Sequence, residues 1–144
     1  MKDDLFLIDS NIFVYAFDSS EKLKHKKAKE LLKKCWKGQQ KFAVSIQNLS
    51  EFFVNVTKKI EKPISKEDGA EIVTGVLEFE GFLKLEPKKE TISKAMGISV
   101  KNNMDYWDSL IAAAMIENGI FNIYTENAKD FKIDEIKKIN PFLE

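Results

Sequence analysis

Short apolar runs and helix-length segments alternate from one end of the sequence to the other. Leu5-Phe6-Leu7-Ile8, Phe42-Ala43-Val44, Phe82-Leu83-Lys84-Leu85 and the run 121–124 each have strand length and strand composition. Residues 136–139 predict a short fifth strand, ahead of Asn140-Pro141. Helices are expected between them, over 11–17, from Lys22 to about Lys37, 46–60, from Ser65 to Phe79, 91–100 and 105–118. Gly38, Pro63, Pro87, the Asn102-Asn103 turn and Asn118-Gly119 punctuate the pattern. Such alternation implies parallel strands covered by helices on both faces. The expected fold class is therefore α/β, a three-layer α/β/α arrangement with a central, mainly parallel sheet of four to five strands. No linker or repeat interrupts it, so residues 1–144 read as a single domain.

The first strand constrains function as well as fold. Its apolar run stops at Asp9, and Ser10 and Asn11 follow with side chains suited to starting a helix. In an open α/β sheet, ligands collect at the carboxyl edge of the strands, where an acid is rigidly held yet outside the core. Two further acids stand in settings wrong for a surface charge. Glu51 precedes Phe52-Phe53, and Asp108 lies between Trp107 and Ile111 in the most apolar segment, which should be buried all round, Trp107 included. Ionised carboxylates in such places need a cation or several donors. Each also has a plainer role: Asp9 as a helix cap, Asp108 as a charge at a helix start, Glu51 as a solvent-facing helical residue. Taken together, and with the 125–127 turn expected beside Asp9, they favour an acidic metal site. Oxygen ligands without His or Cys suit Mg2+ or Mn2+. Such ions between carboxylates suit phosphodiester hydrolysis by activated water.

Composition narrows the alternatives. Formal charge is zero, with 23 basic and 23 acidic residues, so no whole-surface attraction for nucleic acid is expected. All the basic residues are lysines, which favours phosphate contacts over bidentate base reading. The helix from Lys22 carries many of them. One reading makes it a solvated face; the other makes Lys26, Lys27 and Lys29 a phosphate-binding flank for RNA. His25, in the same stretch, is expected to be a solvated side chain and not a metal ligand. A single cysteine, Cys35, excludes an intrachain disulfide and fits a cytoplasmic protein. No apolar run reaches membrane-span length, and Met1 to Asp4 lacks signal-peptide character.

The sequence resembles the PIN-domain nuclease family, in particular VapC-type toxins. The resemblance rests on Ile8-Asp9-Ser10-Asn11-Ile12, Ser45-Ile46-Gln47-Asn48-Leu49-Ser50-Glu51-Phe52, Asp105-Tyr106-Trp107-Asp108-Ser109-Leu110-Ile111-Ala112-Ala113-Ala114, Tyr124-Thr125-Glu126-Asn127-Ala128-Lys129-Asp130-Phe131 and Ile139-Asn140-Pro141-Phe142, in order along the chain. It implies a PIN-like fold and a divalent-metal-dependent endoribonuclease that cuts single-stranded or looped RNA. It also implies a cognate antitoxin as protein partner and a homodimer, for which Phe52, Phe53, Phe79 and Phe82 are candidate patch residues, although core is their plainer role. By the same resemblance Asp9, Glu51 and Asp108 are the metal-binding acids, and Asn11 and Thr125 orient Asp9 and the local water. Asn127 stands where the family often has a fourth acid, and Asp130 is the candidate to replace its charge. Asp105 is a second-rank ligand, with helix capping its simpler role. The alternatives are a PIN fold that binds RNA or protein but cleaves poorly, and an RNA-processing nuclease without an antitoxin. A haloacid-dehalogenase-type phosphatase is disfavoured because Asn11 occupies the place of its second Asp. A phosphorelay receiver is disfavoured because Asp3 and Asp4 precede the first strand.

Overall fold

A computed structural model of the chain describes residues 5–143; the readings placed on Met1 to Asp4 fall outside the described residues. Five parallel strands form one sheet in the order β3-β2-β1-β4-β5. They are β1 (Phe6–Ile8), β2 (Phe42–Ser45), β3 (Phe82–Leu85), β4 (Asn122–Tyr124) and β5 (Lys137–Ile139). The helices are α1 (Ser10–Phe17), α2 (Lys22–Trp36), α3 (Ile46–Val54), α4 (Lys66–Glu78), α5 (Lys89–Asn102) and α6 (Tyr106–Glu117).

Alternation along the strands sends successive side chains to opposite faces. Ile8, Phe42, Val44 and Phe82 face a core shared with Ile12 and Phe13 of α1, Leu32 of α2, Phe52 of α3 and Val76 of α4. Leu7, Ala43 and Ile123 face the opposite core, with Ile111, Ala112 and Met115 of α6. α5 lies outside that layer and joins it through Ala95, which meets Leu110 and Ala113. The three-layer α/β/α arrangement expected from the sequence is the one observed. β1 and β2 are covered on both sides, which is why Phe6 to Ile8 and Phe42 to Val44 read as continuous apolar runs.

Three expectations need correction. The helix expected over 46–60 ends as a regular α-helix at Val54; Asn55–Lys59 forms a wider turn in which Ile60 N–H donates to Asn55 O at 3.1 Å. There the Thr57 hydroxyl donates to the Phe53 carbonyl at 2.7 Å, competing with the regular backbone pattern. Trp107 is 58% exposed, although the rest of α6 through Met115 is buried apart from Tyr106 and Asp108. Its place in the first turn puts it at the mouth of the helix. Phe52 and Phe82 are buried in the core and unavailable to any partner; Phe53 and Phe79 are half-buried. No helix among the described residues is long and apolar enough to cross a membrane.

Candidate metal centre

β1 and β4 are neighbours, with Ile8 opposite Tyr124, so the residues that follow them, Asp9 and Thr125, emerge side by side at the carboxyl edge. Asp9 N–H donates to Tyr124 O at 3.1 Å, and Thr125 N–H to Ile139 O at 3.0 Å, which fixes both backbones to the sheet. Asp9 also caps α1, accepting from Ser10 N–H at 2.8 Å. The capping role is therefore real, and it uses only one lone pair of Oδ1.

Three other donors reach this carboxylate. Asn48 Nδ2 lies 3.2 Å from Oδ1; Thr125 Oγ1 donates to Oδ2 at 2.7 Å; Asn11 Nδ2 lies 3.5 Å from Oδ2. Asn48, fully buried on α3, is also 3.5 Å from Glu51 Oε1, so one amide faces both acids. Sequence reasoning did not single out Asn48. Its only signal is a position three residues before Glu51, on the same helical face.

α6 brings the third acid. Asp105 caps that helix, accepting from the N–H groups of Trp107 and Asp108 at 3.1 and 3.4 Å, the simpler of the two roles considered for it. Asp108, in the first turn, turns into the same cleft as Asp9 and Glu51. The cleft is about 540 Å³, and Asn11 and Asn127 also line it. Tyr15, Asp18 and Lys59 are also among its lining residues.

The acids feel one another. Burial, then the charges of Asp9, Asp105, Asp130 and Glu51, push the Asp108 carboxyl up to about 7. Burial first, and Asp9 second, raise Glu51, although that residue is exposed on the cleft lip. Asp9 is raised by burial, against the lowering effect of its bonds from Thr125 and Ser10. Among the described residues none of the three pairs with a lysine; the ion pair there is Lys24 with Glu126. Asp130 is exposed outside the cleft lining, yet near enough to act on Asp9 and Asp108.

An all-oxygen donor set with unneutralised, mutually repelling carboxylates fits a hard divalent cation. Among the described residues no three His, Cys, Asp or Glu side chains are placed to hold an ion by themselves. Such a cation must therefore keep water in its shell, as Mg2+ does readily.

The basic helix divides in two. Lys22, Lys26, Lys29 and Lys33 are exposed on one face of α2 at helical spacing. Lys27 is instead half-buried and donates to Phe142 O at 3.3 Å, apart from Lys26 and Lys29. His25 is not a freely solvated side chain: it is half-buried, with Nδ1 2.9 Å from Tyr15 O.

The family model for the PIN domain matches residues 6–136. No curated protein matches the sequence significantly. Among solved structures, the fold is similar to a toxin–antitoxin complex from Klebsiella pneumoniae, with 19% identity, TM-score 0.67, and 94% of this chain and 97% of that chain covered. It is similar to VapC20 from Mycobacterium tuberculosis, described as a toxin that cleaves the sarcin–ricin loop, with 13% identity, TM-score 0.68, and 91% and 98% covered. DNA-bound VapBC from Salmonella typhimurium aligns with 15% identity, TM-score 0.66, and 98% and 99% covered. At these identities the likeness is one of fold.

Proposed function

The chain belongs to the PIN-domain family, and from that premise we propose that it is a divalent-metal-dependent endoribonuclease, the toxin of a toxin–antitoxin pair. The observation that carries the reading is the cleft itself. Three carboxylates, one just after β1 and the others on α3 and α6, face one space, and no lysine among the described residues pairs with any of them. Asp9, Glu51 and Asp108 would hold the ion, with Asn127 and Asp130 at the edge of its surroundings. Bound there, Mg2+ or Mn2+ supplies Lewis acidity and activation of water for phosphodiester hydrolysis.

The chain's own groups prepare the site. Asp9 is pinned by donors on both oxygens, so its position is set before any ligand arrives. Asn11 and Thr125 orient it from the adjoining α1 and β4 ends. Lys26 and Lys29, with Lys22 and Lys33, offer an exposed cationic face to the RNA backbone. α2 begins directly after Ser20 and Glu21, which line the cleft. A cytoplasmic location, a homodimer and a cognate antitoxin belong to the same proposal. Similarity to toxin–antitoxin complexes supports the antitoxin.

The test is cleavage of a labelled single-stranded RNA by purified protein with Mn2+, beside Asp9→Asn and Asp108→Asn. Wild-type cleavage that EDTA abolishes and both variants lose is the expected result. Equal cleavage by all three proteins would assign the activity to a contaminant. The neutral Asn127 in the cleft favours a second reading, a PIN fold that binds RNA or a protein with little turnover. Salt-sensitive RNA binding with no cleavage by wild type would select it.

A further inference from the structure

Glu126 lies between two residues already placed at the site, Thr125 and Asn127, yet its side chain is spent elsewhere. Tyr15 Oη donates to its Oε1 at 2.7 Å, and Lys24 Nζ pairs with its Oε2 at 2.5 Å. The two partners lie 111 and 102 residues away in sequence, on α1 and α2. The backbone is equally committed. Glu126 N–H donates to Asn11 Oδ1 at 3.3 Å, and Asn140 Nδ2 lies 3.4 Å from Glu126 O. Phe142 packs edge-on against the Tyr15 ring at 5.1 Å, closing the cluster from the other side.

The connection to Asp9 runs through two short routes. On one, Asn127 N–H donates to Thr125 Oγ1 at 3.1 Å, and that hydroxyl donates to Asp9 Oδ2. On the other, Glu126 N–H engages Asn11 Oδ1, which leaves the Asn11 Nδ2 group facing the same Asp9 oxygen. Both side-chain donors to Oδ2 are thus oriented by backbone N–H groups of the 126–127 segment. Beside the backbone ties to Asn11, Ile139 and Asn140, the Glu126 carboxylate anchors that segment to α1 and α2 through the Tyr15 hydroxyl and the Lys24 ammonium. Charge-assisted bonds of this kind are stronger and more directional than neutral ones.

We propose that Glu126, clamped by Tyr15 and Lys24, is a positioning residue that locks the 125–127 turn and thereby the orientation of Asp9. The proposal rests on the nuclease reading for its activity arm only. Groups that orient metal ligands from behind typically matter by about 10- to 100-fold in activity or metal affinity. Glu126→Ala should lower kcat for Mn2+-dependent RNA cleavage by that factor with KM nearly unchanged. Glu126→Gln retains an acceptor for Tyr15 but loses the charge, and should recover part of the loss. Tyr15→Phe should fall between wild type and Glu126→Ala.

A second arm needs no activity. In Glu126→Ala, amide hydrogen exchange at Glu126 and Asn127 should accelerate at least about tenfold, as expected for local opening. Exchange at Leu7 and Ile8 in β1 should stay as in wild type. Unchanged exchange at 126 and 127 would overturn the proposal. So would equal acceleration throughout β1, which would make Glu126 a general stability residue. In an active wild type, loss expressed only in KM, or no rescue by Glu126→Gln, would overturn it too. A wild type that cleaves no RNA would refute the nuclease reading, and the exchange arm would then decide the positioning role alone.

Discussion

Asp108 sets burial and like charge against ionisation, and function and stability pull against each other there. Its carboxyl is pushed up to about 7 by burial and by Asp9, Asp105, Asp130 and Glu51. At pH 8 it is ionised against that opposition, and at pH 5 it holds a proton. Asp108→Asn keeps the size and removes the charge. Without added metal it should raise the unfolding free energy at pH 8 by on the order of 1 kcal/mol after solvent screening, read as a higher urea midpoint, and change it little at pH 5. Cleavage should be lost in the same variant, the usual trade between a site and the fold that bears it. A midpoint that moves equally at both pH values would remove the charge from the explanation. The acids were legible in the sequence because each interrupts an apolar pattern. Asn48, Tyr15, Lys24 and Glu126 were not, because an amide or a lysine in a helix reads as ordinary surface. Their partners lie across the sheet edge, and only the fold makes them neighbours.

Helix boundaries and helix faces follow the same division between local and tertiary causes. Ser45, Ser65 and Asp105 each cap the helix that the sequence assigned to them or their neighbourhood, since capping depends on adjacent residues. The widened turn at Asn55–Lys59 was not legible, because it involves the close approach of α4: a Cβ on Gly69 would lie 2.7 Å from Thr57 Cγ2. Gly69→Ala should therefore destabilise by about 1–3 kcal/mol through overpacking. Gly75 in α4 and Gly97 in α5 have open space where a Cβ would stand. Alanine at either should stabilise by about 0.5–1 kcal/mol, the opposite sign for the same substitution. Thermal or urea unfolding of the three variants checks this. The lysines of α2 make a parallel case at the surface. Lys26→Gln with Lys29→Gln should flatten the dependence of log affinity for single-stranded RNA on log salt by about 0.7 per lost phosphate contact. Lys27→Gln, whose amine is turned toward Phe142 O, should leave that slope unchanged. Equal slopes in all variants would return the outer lysine face to simple solvation.

At the scale of the molecule, strand alternation in the sequence determined that the sheet is parallel and covered, but not the strand order that puts β1 at the centre. That order makes the site a shared liability. Asp9 leaves the central strand, and α3 and α6, one from each face of the sheet, bring Glu51 and Asp108 to meet it. All three carboxyls are raised above their ordinary values, so the folded chain holds protons that the unfolded chain has released. Stability from these groups is full below the unfolded carboxyl range near pH 4 and is lost as pH rises through the folded values, about 7 for Asp108. In EDTA the protein should therefore melt lower at pH 8 than at pH 5.5. A divalent ion stabilises the deprotonated site and competes with protons for it. Added Mn2+ should raise Tm at pH 8 by roughly 2–4 °C for each 1 kcal/mol of binding linkage in a chain of this size, and raise it much less at pH 5.5. Asp108→Asn should remove most of that difference between the two pH values. A Tm that is flat with pH in EDTA, or a Mn2+ effect equal at both pH values and in the variant, would mean that the ion is held by groups other than these acids.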